Sequence, residues 1–328
     1  MPFWKGKNVL VTGGTGFIGS HLAELLTGRG AHVRVTSKGK NSRKAAVNLA
    51  ESAGKVEVLQ CDLRDMKACR KAVEGMDAAF HLAAIVGGVN YNIEHPATMI
   101  RDNSLMTSNM LDAIRDSTVE RTVISSSAFV YSDSVDGILK EEMGFIGEPD
   151  KAKFGYAWSK RFDELIAKAF SEEFGMKIGI ARPFNTYGPR DAFDPVKSHV
   201  IPSIMHQIMA ENKVRIFGTG QQERSFVFVK DIVEGFTMLG EKYPKPDPVN
   251  FGTSRGIKII DLAEKIIGLM GVDAKIEKDM SENPGRMKRV CDTSKAERIL
   301  GFRPKTDLDS GLRETIKWFR KNAETQQL

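Results

Sequence analysis

No apolar run in this chain approaches the roughly 20 residues needed to cross a bilayer. The start, Met1-Pro-Phe-Trp-Lys-Gly-Lys, carries no apolar signal-peptide core ahead of the first strand pattern. A soluble, cytoplasmic protein without a membrane partner is expected. Cysteine is scarce: three residues, at 61, 69 and 291, an odd number without metal-ligand spacing. That argues against a disulfide framework; all three read as reduced thiols, and no metal is expected. Charge of one sign is not concentrated either. The 48 basic and 42 acidic residues leave a net +6, but the two signs are interspersed, so nucleic acid is not an expected partner. Internal repeats and low-complexity tracts are absent, and only 322–328 reads as a frayed tail. With 328 residues, 41% of them apolar, the chain can bury a sizeable core in one large domain or two modest ones.

What is present begins at Asn8-Val-Leu-Val-Thr-Gly-Gly-Thr-Gly-Phe-Ile-Gly-Ser-His-Leu, where a short apolar strand runs into glycines at 13, 16 and 19. Gly13 permits a tight strand-to-helix turn, Gly16 lets backbone approach a pyrophosphate, and Gly19 lets the helix pack closely on the sheet. The helix N-terminus then faces the phosphates. The amphipathic stretch 19–29 and a second strand at 31–36 complete a βαβ unit, so this is a dinucleotide cradle. Further along, Tyr156-Ala-Trp-Ser-Lys160 places a phenol and an ammonium at i and i+4 on one helix face. A lysine cation in that position favours the tyrosinate, which can then serve as a base. Between the two lies the run Ser125-Ser-Ser-Ala-Phe-Val-Tyr131.

Other segments extend the pattern: Cys61-Asp62-Leu63, His81-Leu-Ala-Ala84, Ala181-Arg-Pro-Phe-Asn-Thr-Tyr-Gly-Pro189, and Arg224 followed by Val229-Lys-Asp231. In this order they resemble the extended short-chain dehydrogenase/reductase family, in its nucleotide-sugar epimerase/dehydratase branch, from about Lys7 to Phe319. Ala84-Ile-Val-Gly-Gly88, the helix containing Asn103 and the segment 191–202 look most like the group of GDP-fucose synthase and GDP-mannose 3,5-epimerase. The resemblance implies Tyr156 as base, Lys160 as its electrostatic partner and a ligand of the nicotinamide ribose, and Ser127 as the hydroxyl that bonds the reacting oxygen. Ser127 is chosen over Ser125 and Ser126 for its four-residue spacing to Tyr131. It also implies cofactor contacts from Gly13, Gly16, Phe17, Ile18, Gly19, Ala83 and Pro183, with Asp62 and Leu63 meeting the adenine. On the substrate side, Asn185 and Arg224 match groups that hold a diphosphate, and Lys288 and Arg289 are further candidates. Arg286 stands where the family often has an acid.

Departures from the family pattern narrow the chemistry. Dehydratases of this branch carry an Asp-Glu pair after the serine, where this chain has Ala128-Phe129. The fucose synthase group places an acid/base cysteine two residues before the motif tyrosine, and Phe129 occupies that place. His199 matches that group's second acid/base; a histidine beside proline and apolar residues also reads as structural. At the end of the second strand, NAD enzymes place an acid for the ribose 2′-OH. Here stands Ser37, followed by Lys38, Lys40 and Arg43, which favours NADP over NAD.

Strand patterns near 8–12, 31–36, 56–60, 77–82, 121–125 and 177–182 alternate with helical ones near 18–29, 66–74, 98–116 and 155–174. That alternation predicts an α/β fold, a Rossmann doubly wound parallel sheet with a smaller C-terminal substrate-binding lobe. The expected division is a core over 1–188, with returning segments near 226–254, and a lobe mainly over 189–328. The leading functional reading is a nucleotide-sugar epimerase working through a 4-keto sugar. Its rivals are an NADPH-dependent 4-keto-6-deoxy GDP-sugar reductase and a non-catalytic dinucleotide sensor. A nucleotide-diphosphate sugar is the expected partner, and a homodimer the expected assembly.

Overall fold

The computed structural model describes residues 2–39, 43–87, 89–193, 198–281 and 286–324, without the side chains of 43, 44, 89, 90 and 324. The first half runs β1 (Asn8–Thr12), α1 (Phe17–Gly28), β2 (His32–Ser37), α2 (Arg43–Asn48), β3 (Val56–Gln60), α3 (Met66–Val73), β4 (Ala78–His81), α4 (Val89–Glu94), α5 (Pro96–Arg115) and β5 (Arg121–Ser125). Then come β6 (Gly137–Leu139), α6 (Phe154–Phe174), β7 (Ile178–Pro183), β8 (Thr186–Tyr187), α7 (Val200–Glu211), β9 (Lys213–Phe217), β10 (Glu223–Ser225), β11 (Val227–Phe228) and α8 (Val229–Lys242). The chain continues through β12 (Val249–Phe251), β13 (Gly256–Lys258), α9 (Ile259–Met270), β14 (Lys275–Asp279), β15 (Lys288–Cys291), α10 (Ser294–Leu300) and α11 (Leu308–Glu324).

The central sheet has seven parallel strands in the order β12-β7-β5-β4-β1-β2-β3. It is the doubly wound sheet that the alternating pattern predicts. β1 shows why. Val9 and Val11 point to one face, into a cluster with Leu22 and Leu26 of α1 and Phe236 of α8. Leu10 points to the other, into a cluster with Met110 of α5 and Ala167 of α6. All three are fully buried, as a central parallel strand covered on both faces requires.

β12 joins the sheet beside β7, with Val249 opposite Ala181 and Phe251 opposite Pro183. Phe251 meets Phe236 and Phe302 edge-on at 5.7 and 5.1 Å between ring centres. A four-stranded sheet, β13-β10-β15-β6, and the pairs β8/β11 and β9/β14 lie outside the main sheet. A separate apolar cluster, with Ile204 of α7, Leu262 and Ile266 of α9 and Ile316 of α11, fills the space beneath the later helices. Two pieces cross the division expected at 188/189. β6 belongs to the smaller sheet, and Ala296, Leu300 and Phe302 pack in the cluster under the large one.

Phe251→Ala should destabilise the fold by about 3–5 kcal/mol, since it empties a site ringed by two aromatic partners. A fall in the urea midpoint at unchanged slope is the expected readout.

Candidate active site

Strand order reverses between β1 and β4, and a crevice outside the carboxyl ends of these strands is where such sheets take ligands. The glycine turn stands there. Gly13 has φ +67°, and a Cβ on it would come within 3.0 Å of the Ala83 backbone. A Cβ on Gly19 would strike the Gly13 carbonyl oxygen. Gly16 caps α1 without any side-chain bond, so the first-turn N–H groups are left for an anion. Phe17 lies edge-on to His21 at 6.1 Å, and Ile18 packs on the core. A pyrophosphate fits a cradle of this kind.

Beside it, the Ser37 hydroxyl donates to the Gly39 carbonyl at 3.3 Å. Lys38 is largely exposed, its Nζ 3.8 Å from Asp62 Oδ2. Arg64, hydrogen-bonded to Asp62, holds that carboxyl down at about 2. Leu63 is turned into the core, so only Asp62 of the pair offers its side chain to the crevice side. Lys40 and the Arg43 side chain lie outside the described residues. The Ala83 N–H donates to the Thr12 hydroxyl at 3.1 Å, and Pro183, half-buried, ends β7.

α6 and the end of β5 bring together Ser127, Tyr156 and Lys160. α6 ends at Gly175, in the left-handed region at φ +67°, and packs along α5. Lys160 is 3% exposed; its ammonium donates to the Ser125 carbonyl at 2.9 Å and to Asp163 at 3.0 Å. Burial alone would depress this lysine, but Asp163, Tyr156 and Glu164 together outweigh it and hold the ammonium above its ordinary range. Nζ lies 5.7 Å from the centre of the half-buried Tyr156 ring. The three serines differ. Ser126 donates to Glu164 at 2.5 Å, and Ser125 to the Ser126 carbonyl at 3.3 Å. Ser127 Oγ accepts the Phe129 N–H at 3.2 Å, which leaves its own proton for an outside acceptor.

Phe129 stands edge-on to Tyr156 at 6.2 Å, with the Arg289 guanidinium 4.7 Å over its other side. Arg289 is buried, pairs with Asp150 at 3.1 Å and donates to the Ala128 carbonyl, while its Nε has no partner in the structure. Burial and nearby Arg286 bring its guanidinium down to about 10. Arg286 latches the loop after Tyr131, donating to the Ser132 carbonyl at 2.8 Å. Arg224 donates to the Glu223 carbonyl at 2.9 Å and is held below its usual range by burial and Arg286. Lys288 pairs with Glu223 at 3.1 Å, and Asn185 donates to the Ser225 carbonyl at 2.8 Å, tying β7 to β10. His199 is about half exposed (53%); Asp191, 3.0 Å from its Nδ1, raises its pKa.

Several of these partners escape sequence reasoning. Asp163 and Glu164 look like solvated helix charges until α6 is placed, and Asp191 like a loop residue. Arg182 sits unmarked within the Arg-Pro-Phe-Asn motif, yet it is fully buried and bidentate to Glu164 at 2.8 and 2.7 Å. Two acids three and four residues after Lys160, and so on its side of the helix, were the available signal.

A dinucleotide cradle beside a Ser/Tyr/Lys constellation, on a doubly wound sheet, defines an enzyme of the extended short-chain dehydrogenase/reductase class that uses a nicotinamide cofactor, NAD or NADP. The chain belongs to the NAD dependent epimerase/dehydratase family, whose model matches residues 9–252. It is 34% identical over 327 residues to the dTDP-4-dehydro-6-deoxy-D-allose reductase of a Streptomyces species, covering 97% of each chain. Among solved structures it is similar to the UDP-N-acetylglucosamine 4-epimerase of Methanobrevibacter ruminantium M1, in complex with UDP-N-acetylmuramic acid. The TM-score is 0.87 at 28% identity, over 97% of this chain and 99% of that one. The dTDP-glucose 4,6-dehydratase of Streptomyces venezuelae, with NAD bound, gives 0.85 at 26% identity, over 97% and 98%. Among the described residues no helix is long and apolar enough to cross a membrane.

Arg182→Met should cost about 3–5 kcal/mol, because it strands the buried Glu164 carboxylate without its partner. Thermal or urea unfolding checks this; a Glu164→Gln/Arg182→Met double variant should recover part of the loss.

Proposed function

We propose that the protein reduces a nucleotide-diphospho 4-keto-6-deoxy sugar with NADPH. One observation carries this choice over cofactor-recycling epimerisation: no acid stands at the end of β2, where Ser37 and the exposed Lys38 leave a positive border for a 2′-phosphate. A net reductase draws its hydride from an exchanging cofactor, for which NADPH is the usual donor. The near full-length similarity to a 4-dehydro-6-deoxy sugar reductase supports the same reading.

When bound, the nicotinamide supplies hydride to C4 of the sugar. Tyr156 donates its phenolic proton to the C4 oxygen as the carbonyl becomes an alkoxide, and the Lys160 ammonium stabilises the tyrosinate left behind. Ser127 hydrogen-bonds the same oxygen. Arg224, with Asn185 beside it, would meet the diphosphate, whose charge relieves a guanidinium hemmed in by Arg286. Ala128 and Phe129 supply neither the acid pair for dehydration nor a second acid/base for proton exchange at C3 and C5. His199, its pKa raised by Asp191, is then a contact for substrate oxygen. The lobe beyond residue 189 supplies the sugar-nucleotide side of the crevice. Exposed Leu105 on α5, with Phe162 and Leu165 on α6, supports a homodimer through these two helices.

Epimerisation at C4 stays as the second reading, favoured by the 4-epimerase among the structural neighbours. Absorbance at 340 nm separates the two. Stoichiometric loss of NADPH with a 4-keto-6-deoxy substrate is expected, whereas inversion of a nucleotide sugar without net cofactor change would overturn the proposal. Tyr156→Phe should lower turnover by about a hundredfold or more with cofactor still bound.

Titration of the protein with each cofactor should show NADP+ binding more tightly than NAD+. Lys38→Ala should narrow that gap by about tenfold, as loss of one charged hydrogen bond to phosphate predicts. A native preference for NAD+ would remove the argument from the β2 border.

A further inference from the structure

Beneath Tyr156 and Lys160 lies a polar layer that the hydride step does not use. Asp163 is 1% exposed, and its Oδ2 accepts from Lys160 Nζ at 3.0 Å. An ammonium has three donors. Here one goes to the Ser125 carbonyl and one to Asp163, leaving the third for the crevice and the cofactor ribose.

The charged and titratable groups around this lysine are otherwise accounted for. On α6 itself, Glu164 is taken up by Arg182 of β7, bidentate at 2.8 and 2.7 Å. From β4 comes His81, driven down to about 3 by burial and by Lys160, and so neutral. α5 contributes the hydroxyl of Thr107, which favours the charged form of Asp163, and β5 contributes the Ser125 carbonyl. Asp163 is therefore the hydrogen-bonded counter-charge of Lys160, with Tyr156 and Glu164 favouring the charged form as well.

A hydrogen-bonded chain also runs into this layer from the cofactor side. The Thr12 hydroxyl accepts the N–H groups of Leu82 and Ala83 at 3.1 Å each, so its proton points to His81 Nδ1, 2.9 Å away. His81 then carries its proton on Nε2 and donates to Thr107 at 3.2 Å. Burial pushes the Asp163 carboxyl up, Lys160 and Thr107 favour its charged form, and its Oδ1 has no hydrogen-bond partner in the structure.

We propose that Asp163 is a positioning residue for the reaction: by keeping the Lys160 ammonium charged and turned toward Tyr156, it sets the alkaline limit of the pH range in which the pair works. The inference rests on the reading of Tyr156 and Lys160 as the reacting pair. Asp163→Asn keeps the shape and removes the charge. Without the carboxylate, buried Lys160 releases its proton more easily, so the alkaline limb of the pH profile of kcat should move to lower pH by about one unit or more. KM should change far less than kcat.

A second readout needs no turnover. In a 13C-lysine-labelled protein, the Lys160 resonance, identified by its loss in Lys160→Met, should titrate above the surface lysines and fall by a similar shift in Asp163→Asn. An unmoved limb and resonance would overturn the proposal. Should the Asn variant fail to fold, titration of the wild-type Lys160 resonance together with the surface lysines would overturn it as well. Normal turnover by Tyr156→Phe would refute the catalytic reading alone, because the lysine titration reports Asp163 independently.

Discussion

The structure depends on burying two cations and two carboxylates against one helix. Lys160, Asp163 and Glu164 of α6 and Arg182 of β7 are each no more than 3% exposed, at a depth where an unpaired charge costs several kcal/mol. Such a group is tolerable only if an opposite charge stands against it. The pairs Lys160–Asp163 and Arg182–Glu164 therefore fix the rotation of α6 against the sheet. Ser126 bonds Glu164, Lys160 bonds the Ser125 carbonyl, and Arg182 reaches the Tyr131 hydroxyl at 3.1 Å and the Glu141 carbonyl at 2.7 Å. The loop that presents Ser127 is thus pinned from both sides by charges whose own stability requires it.

A similar economy joins the glycine turn to the layer around Lys160. Gly13 and Gly19 allow β1 and α1 to close so tightly that Thr12 comes beside the end of β4. Its hydroxyl then serves two backbone N–H groups of the loop carrying Ala83 and a buried histidine at once. The loop is held again further on, where Asn103 of α5 bonds the Ile85 N–H at 2.7 Å and Ser159 of α6 at 3.2 Å. The crossover after β7 is tied back to α1, with Pro189 accepting from His21 and Arg190, at φ +70°, reaching Glu24 at 2.7 Å. One residue on, Asp191 holds His199, so the helix behind the phosphate cradle also sets the start of the outer lobe.

The large sheet was legible in the sequence because its strands are apolar, separated by helices of matching period, and bounded by glycine turns. The smaller sheets were not. β6, β10 and β13 are three residues each and β8 and β11 two, too short for any period to show, and their pairing is set by tertiary contacts. In the site, types and spacings that chemistry restricts stood out: the glycines, Tyr156 with Lys160, and the serine run. What stayed hidden were the supporting charges, because Asp163, Glu164, Asp191 and Arg182 have ordinary surface residue types. Leu63 shows the converse. Its side chain lies in the core, in the turn after β3, where its apolar character is satisfied by Cys69 and Met110.

Phe129 brings these constraints to bear on chemistry. Its ring stands between Tyr156 and a buried guanidinium, Arg289, itself committed to Asp150 and the Ala128 carbonyl. A carboxylate or thiol in that place would have to share a layer with three arginines, Arg224, Arg286 and Arg289, and would be drawn into ion pairs with them instead of remaining free to move protons. An aromatic ring avoids that competition, accepting a cation on its face and meeting the Tyr156 ring edge to face. Under the proposed reduction this leaves Tyr156 and Ser127 to handle the proton beside the C4 oxygen. The residue at 129 and the arginine layer behind it are thus parts of one arrangement, in which an aromatic ring, and not an acid or thiol, stands beside Tyr156.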